Sequence, residues 1–212
     1  MQFHFLGILN GILFLFTWYG LFHQFKILRE RRQIGIQGFT KNLSSQQFLT
    51  SFTAFFCIFL LGLNSAEFNH YLVWTRLGAL LLVIAILFEI HLDRRTNASY
   101  ISLAATAIAL IIGFLLMLLR PLPDAINISG DILTIIIAFI LGYGNIHQIR
   151  LLKNNKNIPL SRRLLSSILV KDFSTLAFGL TMPISVAWPL LLLNSSSFIL
   201  RSYMFILLIR LN

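Results

Sequence analysis

The sequence is poor in charged residues and in the motifs that mark soluble enzymes. Only 11% of its 212 residues are charged, against about 25% in an average soluble domain. Apolar residues make up 57% of the chain, and the mean hydropathy is +0.82. A single hydrophobic core cannot hide this much apolar surface in a chain of this length, whereas a lipid bilayer can solvate it. The composition therefore predicts an integral membrane protein.

Cysteine is also scarce, and its scarcity excludes several kinds of site. The single cysteine, Cys57, lies inside an apolar stretch, so it can form no internal disulfide and no Cys-based metal or redox motif. The sequence contains no phosphate-binding loop, zinc-protease motif, nucleophile elbow or dinucleotide fingerprint. We therefore expect no enzymatic activity, no cofactor and no metal site. The first apolar stretch lacks a basic leader and a cleavage site, which favours a retained helix over a signal peptide.

Long apolar stretches dominate what remains. A membrane-spanning helix needs about 20 mostly apolar residues. The sequence predicts an all-α membrane protein with seven such helices, at about 3–22, 46–63, 71–90, 98–119, 127–146, 164–183 and 188–209. The sixth is interrupted by Lys171 and Asp172.

The net charge of +10 comes from short basic clusters rather than from one basic face, so we expect no nucleic-acid partner. Most of the 17 Lys and Arg residues follow the first, third, fifth and seventh stretches. The positive-inside rule then places the N-terminus outside and the C-terminus in the cytoplasm. An odd number of spans requires the same arrangement. A multi-pass protein with one cysteine and no targeting signal fits a bacterial inner membrane, with the lipid bilayer as its surroundings.

An internal repeat narrows the interpretation. Residues 19–34 read YGLFHQFKILRERRQI, and residues 143–158 read YGNIHQIRLLKNNKNI. Tyr, Gly, His, Gln, Leu and Ile recur at a constant offset, and basic residues follow in both copies. Each copy lies where a predicted helix, the first or the fifth, reaches the cytoplasmic side. The sequence thus predicts two units of three helices, 1–95 and 123–212, joined by a linker helix over 96–122.

At these residues the chain resembles the PQ-loop superfamily, which includes the SWEET sugar transporters and lysosomal amino-acid exporters. The resemblance implies two parallel three-helix bundles joined by a linker helix, a 3+1+3 arrangement that moves a solute by alternating access. It rests on His23-Gln24 and His147-Gln148, which stand where the family has Pro-Gln. The last helix, opening with Trp188-Pro189, is similar as well, and the family places an asparagine such as Asn194 at the substrate cavity.

In both copies histidine stands where the family has proline, which kinks a helix. Other residues must therefore provide the hinge of the bundles. Gly20 and Gly144, one turn earlier, can supply flexibility. The resemblance gives Gln24 and Gln148 a gating role, with ordinary helix capping as the alternative. His23 and His147 can couple protons to gating, or else bond to helix ends at the membrane interface.

Four charged residues fall inside predicted spans: Arg76, Lys171, Asp172 and Arg201. Charges there usually face a cavity, because burial without a partner is costly. The alternative for Arg76 and Lys171 is that their side chains reach the membrane surface. Asp172 can pair with Arg201 or Arg76, and Asn194 shares a helix face with Arg201. We therefore predict a substrate site formed by Asn194, Arg201, Arg76 and Asp172, with surplus positive charge that suits a carboxylate or a phosphate.

These features predict a membrane transporter for a small polar solute, an amino acid or a sugar. Protons are the coupling ion if the histidines link proton binding to gating. The alternative is a membrane receptor or scaffold of the same architecture that binds a ligand without moving it.

Overall fold

The computed structural model describes residues 2–41, 43–64, 68–120, 125–154, 161–181 and 184–210. These residues form an all-helical protein. Its seven helices are α1 (Gln2–Gln33), α2 (Ser45–Asn64), α3 (His70–Arg94), α4 (Asn97–Leu118), α5 (Ala125–Asn154), α6 (Arg162–Gly179) and α7 (Ile184–Arg210). Each matches one predicted span. Helix α1 extends about three turns, and α5 about two turns, past its predicted end into the basic segments.

Local chemistry explains where several helices begin. Polar side chains precede α2, α3, α4 and α6 and accept a hydrogen bond from a backbone N–H of the first turn, as N-cap residues do. These caps are Ser44, Asn69, Thr96 and Ser161. After α1 the chain turns through Gly35 and Gly38, whose φ angles of 80° and 65° favour glycine.

Five helices, judged on the described residues, are long and apolar enough to cross a membrane: α1, α2, α3, α4 and α7. α6 is less apolar because it carries Arg162, Arg163, Lys171 and Asp172 within 18 residues. Side chains such as Ile101, Ile108 and Ile111 on α4 stay exposed, as expected for a lipid-facing surface. The structure therefore supports a membrane protein, in agreement with the composition.

Six of the helices pack in a closed ring. α3 lies between α1 and α2, and α7 lies between α5 and α6. The two halves of the ring meet where α1 packs on α6 and α2 packs on α5. α4 stands outside the ring against α3 and α2. The interior of this ring is where the predicted site residues lie.

The basic segments gather at one end of the ring, which we call the basic end: α1, α3, α5 and α7 finish there, and α2, α4 and α6 begin there. Asp93 and Arg94 at the end of α3 bind the α1–α2 connection: an Asp93 carboxylate oxygen accepts from the Thr40 N–H at 2.8 Å, and Arg94 donates to the Thr40 and Leu43 carbonyls. Two residues of the second repeat copy, Lys156 and Ile158, lie outside the described residues.

Candidate functional site

The ring encloses a group of buried charged and polar side chains, which we call the central polar cluster. Its members are at most 3% exposed, and they come from α3, α6 and α7. They are Arg76, Lys171, Asp172, Asn194, Ser197 and Arg201. All four residues predicted to bind substrate belong to this cluster.

Lys171 and Asp172 form the middle of the cluster and join α6 to α7. The Lys171 ammonium forms an ion pair with Asp172 and donates to Asn194 Oδ1 at 2.8 Å. The Ser197 hydroxyl donates to Asp172 Oδ2 at 2.7 Å. The Asn194 amide is oriented by its own donation to the Leu190 carbonyl at 2.7 Å.

The expected pairing of Asp172 with Arg201 or Arg76 is not formed. Asp172 pairs instead with Lys171, its neighbour in sequence, and it attracts the two arginines electrostatically without a direct salt bridge among the described residues. Lys171 itself is buried rather than extended toward the membrane surface. The physical reason is that Asn194 and the Asp172 carboxylate solvate the ammonium inside the ring.

Arg201 connects α7 to α2. Its Nη2 donates to Ser51 Oγ at 2.8 Å. Its Nε is buried and has no hydrogen-bond partner among the described residues. Arg201 is thus a buried cation with a donor still to satisfy.

Arg76 lies deeper, against α1 and α6. Its guanidinium stands 4.3 Å from the centre of the Phe14 ring, a cation–π contact. It donates to Thr75 Oγ1 at 2.8 Å and reaches Thr175 Oγ1 at 3.5 Å. Because Arg76 is fully buried, its side chain does not extend to the membrane surface. Asn10 of α1 extends this network by accepting from Ser174 and Thr175 of α6.

A small cavity lies beside the cluster. Its polar wall consists of Ser51, Lys171, Asn194, Ser197 and Arg201, and its apolar wall consists of Ala54, Phe55, Ile58, Leu141 and Leu193. The free room in this conformation is that of about one water molecule. The cavity is therefore closed to any larger solute unless the helices move.

The sequence placed Lys171 among the four charged residues of the predicted spans but left it out of the substrate site, and it did not single out Ser51, Ser197 or Asn10. The sequence does contain a signal for Lys171. Burying a lysine and an aspartate in one apolar stretch costs free energy unless the two form an ion pair. The three small polar residues occur in predicted helices where such residues are common. Their roles follow from which helices face each other.

At the basic end, each His-Gln pair contacts the serine that precedes a helix in the other half of the ring. We call these two matching contacts the first clamp and the second clamp. In the first clamp, Gln24 Oε1 accepts from the Ser161 backbone N–H at 2.8 Å, and His23 Nδ1 is 2.9 Å from Ser161 Oγ.

In the second clamp, Gln148 Oε1 accepts from the Ser44 backbone N–H at 2.8 Å, and His147 Nδ1 is 2.9 Å from Ser44 Oγ. Both serines are N-cap residues, of α6 and α2 respectively. Each clamp therefore ties the C-terminal third of one helix to the start of a helix in the other half of the ring.

Gly20 and Gly144 lie one turn before the clamps, at close contacts between helices of the two halves. A Cβ on Gly20 would stand 2.9 Å from Leu164 Cα of α6. A Cβ on Gly144 would stand 2.5 Å from Thr50 Oγ1 of α2. The structure thus gives both glycines a packing role between the halves of the ring.

The described residues contain no group of three His, Cys, Asp or Glu side chains that could hold a metal ion. A scan against protein-family models, a search of curated proteins and a search of solved structures each find no match for this chain.

Proposed function

We propose that this chain is a membrane transporter for a small polar solute, built from two three-helix repeats, 1–95 and 123–212, with α4 as the linker. The helix order supports this division, because α3 sits centrally in one half of the ring and α7 in the other. Each half then contributes its first two helices to the contacts between the halves.

One observation carries the proposal: the two halves, which have a polar cavity between them, are joined at the basic end by two clamps with the same chemistry. If the two halves were unrelated, helix packing alone would not explain why a His-Gln pair contacts an N-cap serine in the same way twice. In alternating access, a midplane site between repeats opens to one side at a time. The conformation described here corresponds to a state in which the basic end is shut.

Opening would separate α1 from α6 and α2 from α5. The clamps are suited to this step because each consists of hydrogen bonds, and interhelical polar bonds in membranes are worth only about 0.6 kcal/mol on average. The excess of Lys and Arg at this end supports a cytoplasmic location for it. Solute would then enter or leave the cytoplasm between the two clamps.

The test is solute exchange by the whole chain in proteoliposomes. Purified protein is screened for thermal stabilisation by sugars, amino acids and organic acids, because a ligand that binds the folded state raises its stability. Each stabilising solute is then tested for counterflow. Counterflow that is absent from protein-free liposomes supports transport, and stabilisation without counterflow contradicts it.

The same cavity is compatible with a second candidate, a receptor or scaffold that binds a ligand without releasing it across the membrane. In that case ligand binding would be saturable, and no solute would exchange in the same proteoliposomes. The two functions therefore predict opposite results from one preparation.

A further inference from the structure

We infer that the central cavity binds a small carboxylate that carries no compensating ammonium group, with its carboxylate held by Arg201. This inference rests on the site of the proposed function and names the class of solute that the site accepts.

The charges of the central polar cluster do not balance. Arg76, Lys171 and Arg201 are cationic, and Asp172 is the one acidic member of the cluster among the described residues. Burying an unpaired charge inside a membrane protein costs several kcal/mol, so such groups usually meet a partner or a ligand. An anion entering the cavity would supply the missing negative charge.

Arg201 is the cation best placed to receive it. Its guanidinium lines the cavity, is 2% exposed, and has no acidic partner within the described part of the chain. Its Nε is an unsatisfied donor, and Ser51 holds its Nη2 in place. The planar fork of a guanidinium matches the two oxygens of a carboxylate, and such charge-assisted bonds are about twice as strong as neutral ones.

A zwitterionic amino acid fits less well. Its ammonium group would need an acidic partner, and Asp172 is already engaged by Lys171 and Ser197. The ammonium would also restore the positive surplus that the carboxylate removes. A sugar would leave the surplus unchanged, because it is neutral.

The residues that line the cavity indicate the chemistry of the rest of the solute. Five apolar residues face the cavity, so the body of the anion is short and largely apolar. Lys171, Asn194 and Ser197 also line the cavity and can bond to a hydroxyl or a keto oxygen.

A second unsatisfied group points to the same kind of ligand. Asn145 is fully buried, and neither its Nδ2 nor its Oδ1 has a partner among the described residues. It lies one helical turn from Leu141 of the cavity wall, on the same face of α5. A buried amide without partners is costly, and a ligand hydroxyl, which both donates and accepts, can bond to Nδ2 or to Oδ1.

The experiment compares three solutes that share one carbon skeleton and differ in charge: L-lactate, L-alanine and lactamide. Succinate and succinamide form a second pair, and inorganic phosphate is included. Thermal unfolding of the whole chain is followed in detergent over a range of concentrations. We expect saturable stabilisation by at least one of the two acids and none by its amide or by alanine.

The inference is overturned if neither acid stabilises the protein, if an amide or alanine stabilises it as well as the acid, or if phosphate alone does. This comparison uses the unmodified protein, so it does not depend on the folding of any variant.

Arg201→Gln then tests the residue, and Arg210→Gln is the control, since Arg210 lies on the same helix and is exposed. Loss of a charge-assisted bond should weaken binding of the acid about tenfold or more in Arg201→Gln, while the control binds like the unmodified chain. Equal binding by both variants contradicts the role of Arg201.

Counterflow of labelled lactate and succinate separates this inference from the proposed function. An acid that binds without exchange leaves the carboxylate site standing and contradicts transport. Exchange of sugars or amino acids without any effect of the acids leaves transport standing and contradicts the carboxylate site.

Discussion

Lys171 and Asp172 are neighbours in the chain, and their side chains meet inside the helix ring rather than at the membrane surface. Removing one partner of a buried ion pair leaves an uncompensated charge, whereas removing both often costs little. The pair also stands between two further buried cations, Arg76 and Arg201. The carboxylate of Asp172 is therefore expected to matter more for folding than the ammonium of Lys171.

We predict that Asp172→Asn destabilises the protein by about 3–5 kcal/mol, because three buried cations would remain with no acid. The double variant Lys171→Met, Asp172→Asn should lose less, since it removes the cation that the carboxylate neutralises. Thermal unfolding in detergent measures both. Equal losses in the single and the double variant would show that the ion pair does not govern stability.

At this scale the sequence predicted membership of the site better than it predicted contacts. Arg76, Asp172 and Arg201 were proposed because charges in apolar stretches are costly, a rule that needs no structure, and Asn194 was proposed from the family resemblance. Their partners could not be identified in the same way. Ser51 and Asn10 become important only because α2 faces α7 and α1 faces α6, and one sequence does not encode that arrangement in any local pattern.

The two halves pack closely at Gly20 and Gly144, and this approach is a property of helix pairs rather than of single residues. Small residues at helix contacts let backbones approach in membranes. The sequence assigned flexibility to these glycines. That role stays a prediction, while the close packing is a feature that only the fold reveals.

We predict that Gly20→Ala lowers stability by about 1–3 kcal/mol, because the added methyl group meets the α6 backbone. Gly144→Ala should cost less, since the nearest backbone atom to its Cβ is the Gln46 carbonyl oxygen at 3.2 Å, against 2.9 Å to Leu164 Cα for Gly20. Gly11→Ala and Gly142→Ala are matched controls on the same two helices, where a Cβ has nothing within 4 Å. Thermal unfolding of the four variants tests the order, and controls as damaging as Gly20→Ala would refute it.

The clamps predict that a substitution in one helix loosens the start of another helix. Replacing Gln24 by leucine removes the acceptor for the Ser161 N–H, so the start of α6 should open more often. Replacing Gln148 by leucine removes the acceptor for the Ser44 N–H and should loosen the start of α2.

Hydrogen exchange read by mass spectrometry measures both sites in each variant. We expect faster exchange at 161–165 in Gln24→Leu and at 44–48 in Gln148→Leu, with the other segment unchanged. Faster exchange at the same segment in both variants would mean that the clamps are not independent contacts.

For the whole molecule, the ring of six helices with α4 outside is compatible with either transport or binding alone, and the two differ in whether the halves must separate. The number of helices and their approximate bounds were predictable from apolar stretches. The packing order of the ring was not, because it depends on long-range contacts between the halves. The separation of the halves at the basic end is the central claim of the account.

The most direct measurement cross-links the two halves at that end. Arg163 of α6 donates to the Tyr19 hydroxyl of α1 at 2.8 Å, and both side chains are exposed. Tyr19→Cys with Arg163→Cys, in a Cys57→Ala background, can be joined by a short bifunctional thiol reagent. The control joins Lys26→Cys to Glu30→Cys, exposed positions one turn apart on α1, which cannot restrain the halves.

Both cross-linked proteins are tested for counterflow of sugars, amino acids and organic acids in proteoliposomes. The account predicts that the control exchanges at least one of these solutes and that the α1–α6 cross-link abolishes the exchange until the reagent is cleaved. Exchange that continues with α1 joined to α6, or no exchange of any solute by the control, would contradict transport by alternating access.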